Sequence, residues 1–194
     1  MNPHAVKREW IWAEEQRFAR ELASAVIELP KLNIWMILIP IILVFHVFRH
    51  NKAVQGRAAF VGHYLLSRSR TLEEAFLALT QGRMPDIDAV VRQATDLPNS
   101  ARSAYCAWIK ILARHYSDLL QAQGTGIEEL IAAVYRNRAN YLLHSHQLNQ
   151  KEAALNAALK NHITDATQEI VQTIARIEFH TARLRRMRAE ALFP

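Results

Sequence analysis

The chain has 194 residues, 51% of them hydrophobic and 22% charged, with a formal net charge of +6 at pH 7. That length supports a helical domain with its own core, and a single cysteine excludes an intrachain disulfide framework. The positive charge is local: residues 31–70 carry six Lys and Arg and no acid, against a net −1 over residues 1–30 and +1 over residues 71–194. Such a distribution speaks against the uniform basicity of many nucleic-acid binders.

Residues 1–30 read as an amphipathic helix. Ile11, Phe18, Leu22, Ala25 and Val26 form one stripe at helical spacing, opposite Glu14, Glu15, Arg17, Arg20 and Glu21. The mixed charge favours packing on protein over lying in a headgroup plane, and Pro30 ends the helix. These residues lack the basic start and apolar core of a cleavable secretory signal.

Leu32 to Phe48, LNIWMILIPIILVFHVF, is the one long apolar run. About 17 residues is the lower limit for crossing ~30 Å of hydrocarbon. Trp35, Ile37, Leu38, Pro40, Ile41, Phe45 and Phe48 are the expected membrane-anchoring residues, with Lys31, Arg49, Lys52 and Arg57 at the lipid headgroups. Pro40, near the centre, removes a helix hydrogen bond and clashes with the preceding turn. The insertion is therefore either a kinked span or a re-entrant hairpin, and a helix buried in a soluble core is the remaining reading of the run. The basic residues following the run favour a cytoplasmic location for the longer, C-terminal part, at the inner face of a cytoplasmic membrane.

The remainder is expected to be helical. Residues 51–70 can continue as one helix, with Ser67-Arg68-Ser69-Arg70 as its solvated end or, less simply, a phosphate- or lipid-binding patch. Thr71 and Glu74 have capping-box spacing, predicting a helix start there and a stop near Gly82. Pro85, Asp86 and Asp88 read as the first turn of a short helix. After Pro98, Tyr105, Trp108, Ile109, Leu112, Tyr116, Leu119 and Leu120 make a broad apolar face that ends at Gly124-Thr125-Gly126. Thr125 with Glu128 and Asn149 with Glu152 are further start signals, and Asp165 with Gln168 is either another or lies inside one long helix.

Residues 149–192 contain neither Gly nor Pro, which predicts one long C-terminal helix. Leu159, Ile163, Ile170, Ile174 and Ile177 lie on a near-heptad seam, either against the chain's own domain or against a partner helix. No segment alternates apolar and polar residues over a strand length, so the fold class is all-α. The expected division is an amphipathic helix over 1–30, a membrane anchor over 31–52 and a cytoplasmic bundle over 53–194.

No site chemistry emerges. There is no Gly-x-Ser-x-Gly, no phosphate-cradling glycine loop and no Cys-x-x-Cys-His. The paired acids Glu14-Glu15, Glu73-Glu74 and Glu128-Glu129 read as first-turn or surface charges. His46 and His50 share one helix face without further ligands, and the arginines at 183, 185, 186 and 188 read as a charged helix end. Neither catalytic residues, metal ligands nor a cofactor are expected. The sequence points to a non-enzymatic, membrane-anchored accessory or scaffold subunit. Its expected partners are lipid and other protein subunits, including copies of itself, with no nucleic acid and no small-molecule substrate. The alternative is a redox subunit with His46 and His50 beside a haem or quinone.

Overall fold

The computed structural model describes residues 3–26, 57–160, 162 and 168–194. Among the described residues there are seven α-helices, one 3-10 turn and no strand. In chain order they are α1 (Pro3–Val26), α2 (Arg57–Thr80), α3 (Ile87–Arg92), α4 (Arg102–Gln121), α5 (Ile127–Tyr135), α6 (Arg138–Lys160) and α7 (Gln168–Leu192). None of these is long and apolar enough to cross a membrane. The expected insertion at residues 31–52 lies outside the described residues.

Helix α4 is the centre of the bundle, touching α1, α2, α3, α5 and α6. Its whole expected face, from Tyr105 to Leu120, is buried. The reason is its 3.6-residue period, which aligns seven large side chains on one side of a 20-residue helix. His4 and Lys7 of α1 hold the other end of this packing: Lys7 Nζ donates to Leu120 O at 3.2 Å and to Ala122 O at 2.6 Å. A cation is thereby placed on the carbonyls that the end of α4 leaves unpaired.

Helices α1 and α2 run antiparallel. Arg8 meets Glu73 at 3.0 Å, Glu15 meets Arg68 at 3.0 Å, and the Phe18 and Tyr64 rings stack at 6.1 Å. Farther along, Leu22, Ala23 and Val26 close on Phe60 in a small apolar cluster of their own. Residues 3–26, set apart in sequence by the apolar run, thus join the same bundle as the described residues from 57 onward.

Four boundaries differ from the sequence reading. Thr71 does not start a helix: it is fully buried inside α2, where its hydroxyl donates back to Ser67 O at 2.7 Å. Burial of Leu65, Leu72 and Ala75 on the same side keeps the helix continuous through the cap signal. Asn149 and Glu152 likewise sit inside α6, which begins eleven residues earlier in sequence, at Arg138. Its start is capped by Asn137, whose Oδ1 accepts from the Asn140 N–H at 2.9 Å.

Third, the C-terminal region is two helices rather than one. α6 and α7 pair antiparallel, with Asn156 bonded to Glu178, Glu152 to Arg185 and Arg138 to Glu190. Folding back covers the apolar stripes of both helices, which a single straight helix would leave uncovered.

Fourth, α5 starts one residue later than the Thr125–Glu128 spacing predicts: Gly126 is its N-cap, without a side-chain cap bond, and Thr125 donates to Glu129 instead, because the Gly124–Gly126 turn carries Thr125 outside the helix. Two boundaries follow their signals. Gly82, at φ 65°, ends α2 in a Schellman turn, with Gly82 N–H bonded to Leu79 O and Arg83 N–H to Ala78 O. Asp86 caps α3 by accepting from the Ala89 N–H at 2.9 Å.

Candidate functional site

The most unusual chemistry among the described residues is a charged network in the middle of the bundle. Arg68 of α2 is 2% exposed and Arg185 of α7 is 6% exposed. Arg68 Nη1 donates to Glu15 of α1 at 3.0 Å and its Nη2 to Glu152 of α6 at 2.6 Å. Arg185 grips Glu152 with both terminal nitrogens, at 2.7 and 2.9 Å, and also bonds Asn149. Two residues of α4 complete the arrangement. Tyr116 donates to Glu15 at 2.7 Å, and the Trp108 indole donates to Glu152 at 3.3 Å.

Aromatic faces carry the rest of the load. The Arg68 guanidinium lies 4.6 Å from the Tyr64 ring centroid and 5.7 Å from Trp108, and Arg185 lies 5.6 Å from Phe18. A planar, weakly hydrated guanidinium tolerates such a site better than an ammonium would. Burial works against charge on both arginines, but Glu15 and Glu152 hold Arg68 ionised and Glu152 holds Arg185 ionised. Glu152 experiences the converse: burial opposes its charge, and the two arginines still keep its carboxyl below the usual range. Removing these charges from water costs several kcal/mol per ion, offset only when every partner is in place.

The network forms because each of its charges occupies a core position of an otherwise apolar stripe. Arg68 falls in register with Leu65, Leu72 and Ala75, and Glu15 with Ile11, Ala19 and Leu22. Glu152 lies in register with Leu148, Leu155 and Leu159. The reading of Ser67–Arg70 as a solvated helix end is corrected for Ser67 and Arg68, which are buried, while Ser69 stays exposed; surface roles for Glu15 and Arg185 are corrected as well. The run of C-terminal arginines also divides. Arg185 is buried, Arg188 pairs with Glu14 and Glu128 at 3.0 and 2.9 Å, and Arg186 reaches Glu190 on the surface.

Beside the network lies a cavity of about 60 Å³, walled by Glu14, Glu15, Arg68, Arg185 and Arg188 on one side. His115 of α4, with Tyr141, His144 and Ser145 of α6, forms the other. The two partly buried imidazoles stack with centroids 4.6 Å apart and planes 28° from parallel. Stacked rings direct their nitrogen lone pairs along separate planes, so they do not converge on one metal ion. Rings in mutual contact also leave no space for a porphyrin between them. Every carboxylate and guanidinium on the wall already has a charged partner within the chain.

Of the residues singled out by sequence, Trp35, Ile37, Leu38, Pro40, Ile41, Phe45, Phe48, Lys31, Arg49 and Lys52 lie outside the described residues, as do His46 and His50. Arg57 opens α2. On the seam, Leu159 and Ile170 are buried in the chain's own bundle, Ile174 packs against the main core and Ile177 against the smaller cluster. Ile163 lies outside the described residues. No protein-family model, curated protein or solved structure matches the chain.

Proposed function

We propose that this protein is a non-enzymatic scaffold held on a membrane by a re-entrant insertion, presenting its helical bundle to partner subunits on one side. The observation that carries the reading is the contact of Val26, at the end of α1, with Phe60, near the start of α2. The apolar run lies between these two residues in sequence. An antiparallel pair that sends the chain out and takes it back at one place favours an insertion with both ends on the same side. With Pro40 at the turn, each apolar arm has about 8 residues and reaches ~12 Å as a helix, within one leaflet of a ~30 Å core. The basic residues at 31, 49, 52 and 57 suit an anionic headgroup layer at its base.

Labelling in sealed membranes tests this reading. In a Cys106→Ser background, Glu9→Cys on α1 and Met84→Cys after α2 should both react with an impermeant maleimide from the cytoplasmic face alone. Reaction of the two positions from opposite faces overturns the re-entrant insertion. Release of the chain by alkaline carbonate overturns the anchoring itself. Purification in mild detergent should bring down partner subunits in fixed ratio, and a chain that purifies alone argues against the scaffold.

A further inference from the structure

The cavity wall contains two groups that its ion pairs do not neutralise, His115 and His144. We propose that this stacked pair is an acid-sensitive latch: in its neutral form it holds α6 against α4, and its protonation releases the α5–α6 corner of the bundle. The geometry supports this directly. The rings meet at 4.6 Å, Tyr135 of α5 packs on both at 5.8 and 5.1 Å, and the Tyr135 hydroxyl lies 2.6 Å from His115 Nδ1. Three helices therefore join at one aromatic cluster, extended by Tyr141 of α6 edge-on to Tyr135 at 5.2 Å.

A proton on either ring disturbs this joint in two ways. Two imidazolium rings cannot stay stacked at that distance without mutual repulsion. A protonated His115 can also only donate at Nδ1, whereas the neutral ring can accept from Tyr135.

The charges around the pair disfavour protonation. Arg68 of α2 and Arg185 of α7 both act against a positive charge on each ring, and Arg188 of α7 lines the same cavity. Glu152 of α6 favours the proton on His144 but is itself committed to the two arginines. Glu14 and Glu15 of α1 are committed to Arg188 and Arg68. On α4, Asp118 is paired with Arg114 and acts on Tyr135, whose own proton burial retains. Burial comes first among the causes: it lowers the His115 pKa to about 3 and, with the charge of His115, that of His144 to about 2.

The sign follows from these lowered values. Above the ordinary histidine pKa of about 6.5, neither state takes up a proton and the bundle has its full stability. As pH falls below about 6.5, the unfolded or opened chain binds protons that the closed bundle refuses, so stability is lost down to the folded values. Each proton taken up on opening is a factor of ten in the opening constant per pH unit.

The test is urea unfolding and amide hydrogen exchange of the full chain in detergent micelles, corrected for intrinsic exchange, at pH 7.5 and pH 5.5. The folding constant of the wild type should fall at least tenfold across this interval. Exchange should accelerate first in α5 and around His115 and His144, ahead of α1 and α2. His115→Gln/His144→Gln should flatten the pH dependence over the same range. A wild type equally stable at both values, or exchange that rises uniformly over all helices, overturns the latch. So does a folded double variant with an unchanged pH slope. If the variant does not fold, the wild-type exchange pattern decides alone.

Discussion

At the residue scale, the bundle depends on carboxylates whose removal leaves guanidinium groups stranded. Glu152 is the clearest case, because it is the carboxylate common to Arg68 and Arg185. Glu152→Gln keeps the shape and removes the charge, and should cost about 3–5 kcal/mol in urea unfolding. Glu190→Gln is the control. Glu190 pairs with Arg138 and Arg186 at the surface, with side chains 43–74% exposed, and its loss should fall within about 1 kcal/mol. A comparable cost at the two positions sinks the claim that the inner network governs stability. Glu152 also has a pH signature. Its folded pKa is lowered, so its contribution is present above the ordinary carboxylate range and is lost as pH falls through that lowered value. Glu152→Gln should remove this acid limb while leaving the histidine-dependent change near pH 6 in place. The network was partly legible in sequence: a charge spaced 3 or 4 residues from buried leucines on both sides, as Arg68 is from Leu65 and Leu72, marks a core position. Its partners were not legible, because Glu15, Glu152 and Arg185 are brought together only by the packing of four separate helices.

At the scale of elements, periodicity identified helices well and their ends less well. The apolar face of α4 and the Gly82 stop are as the spacing predicts, since each depends on neighbours within a turn or two. The Thr71 signal was overridden because Leu65, Leu72 and Ala75 bury the same side of α2 before and after it. The sequence between α6 and α7 has no Gly or Pro to announce a break, and it is the antiparallel pairing, one amide hydrogen bond and two ion-paired contacts, that defines the reversal. A local prediction concerns the start of α5. A Cβ on Gly124 would stand 2.9 Å from Glu129 Cβ and 3.1 Å from Leu130 N. The turn must move to admit it, so Gly124→Ala should destabilise by about 1–3 kcal/mol. The calorimetric midpoint checks this, and an unchanged midpoint would show that the turn is not a close approach. Gly62 has open space around its Cβ direction and is the matched control within α2.

For the whole molecule, the decisive relation is between α1 and α2. In sequence they flank the apolar run and can be assigned to opposite faces of a membrane as readily as to one. Their antiparallel packing, closed by Leu22, Ala23, Val26 and Phe60, brings the two flanks together. The labelling of Glu9→Cys and Met84→Cys is the measurement at this scale, with both sites expected on the cytoplasmic face. Composition and pattern alone determined that the chain is helical, that its basic charge surrounds one greasy segment, and which faces of α1, α4 and α7 are apolar. These are properties of period and composition, carried by residues close together along the chain. Only the tertiary structure decided that the C-terminal region doubles back, that Arg68 and Arg185 share a carboxylate in the interior, and that His115 and His144 stack beside them. Each of these joins residues at least 22 positions apart, and helical periodicity carries no information across such a separation.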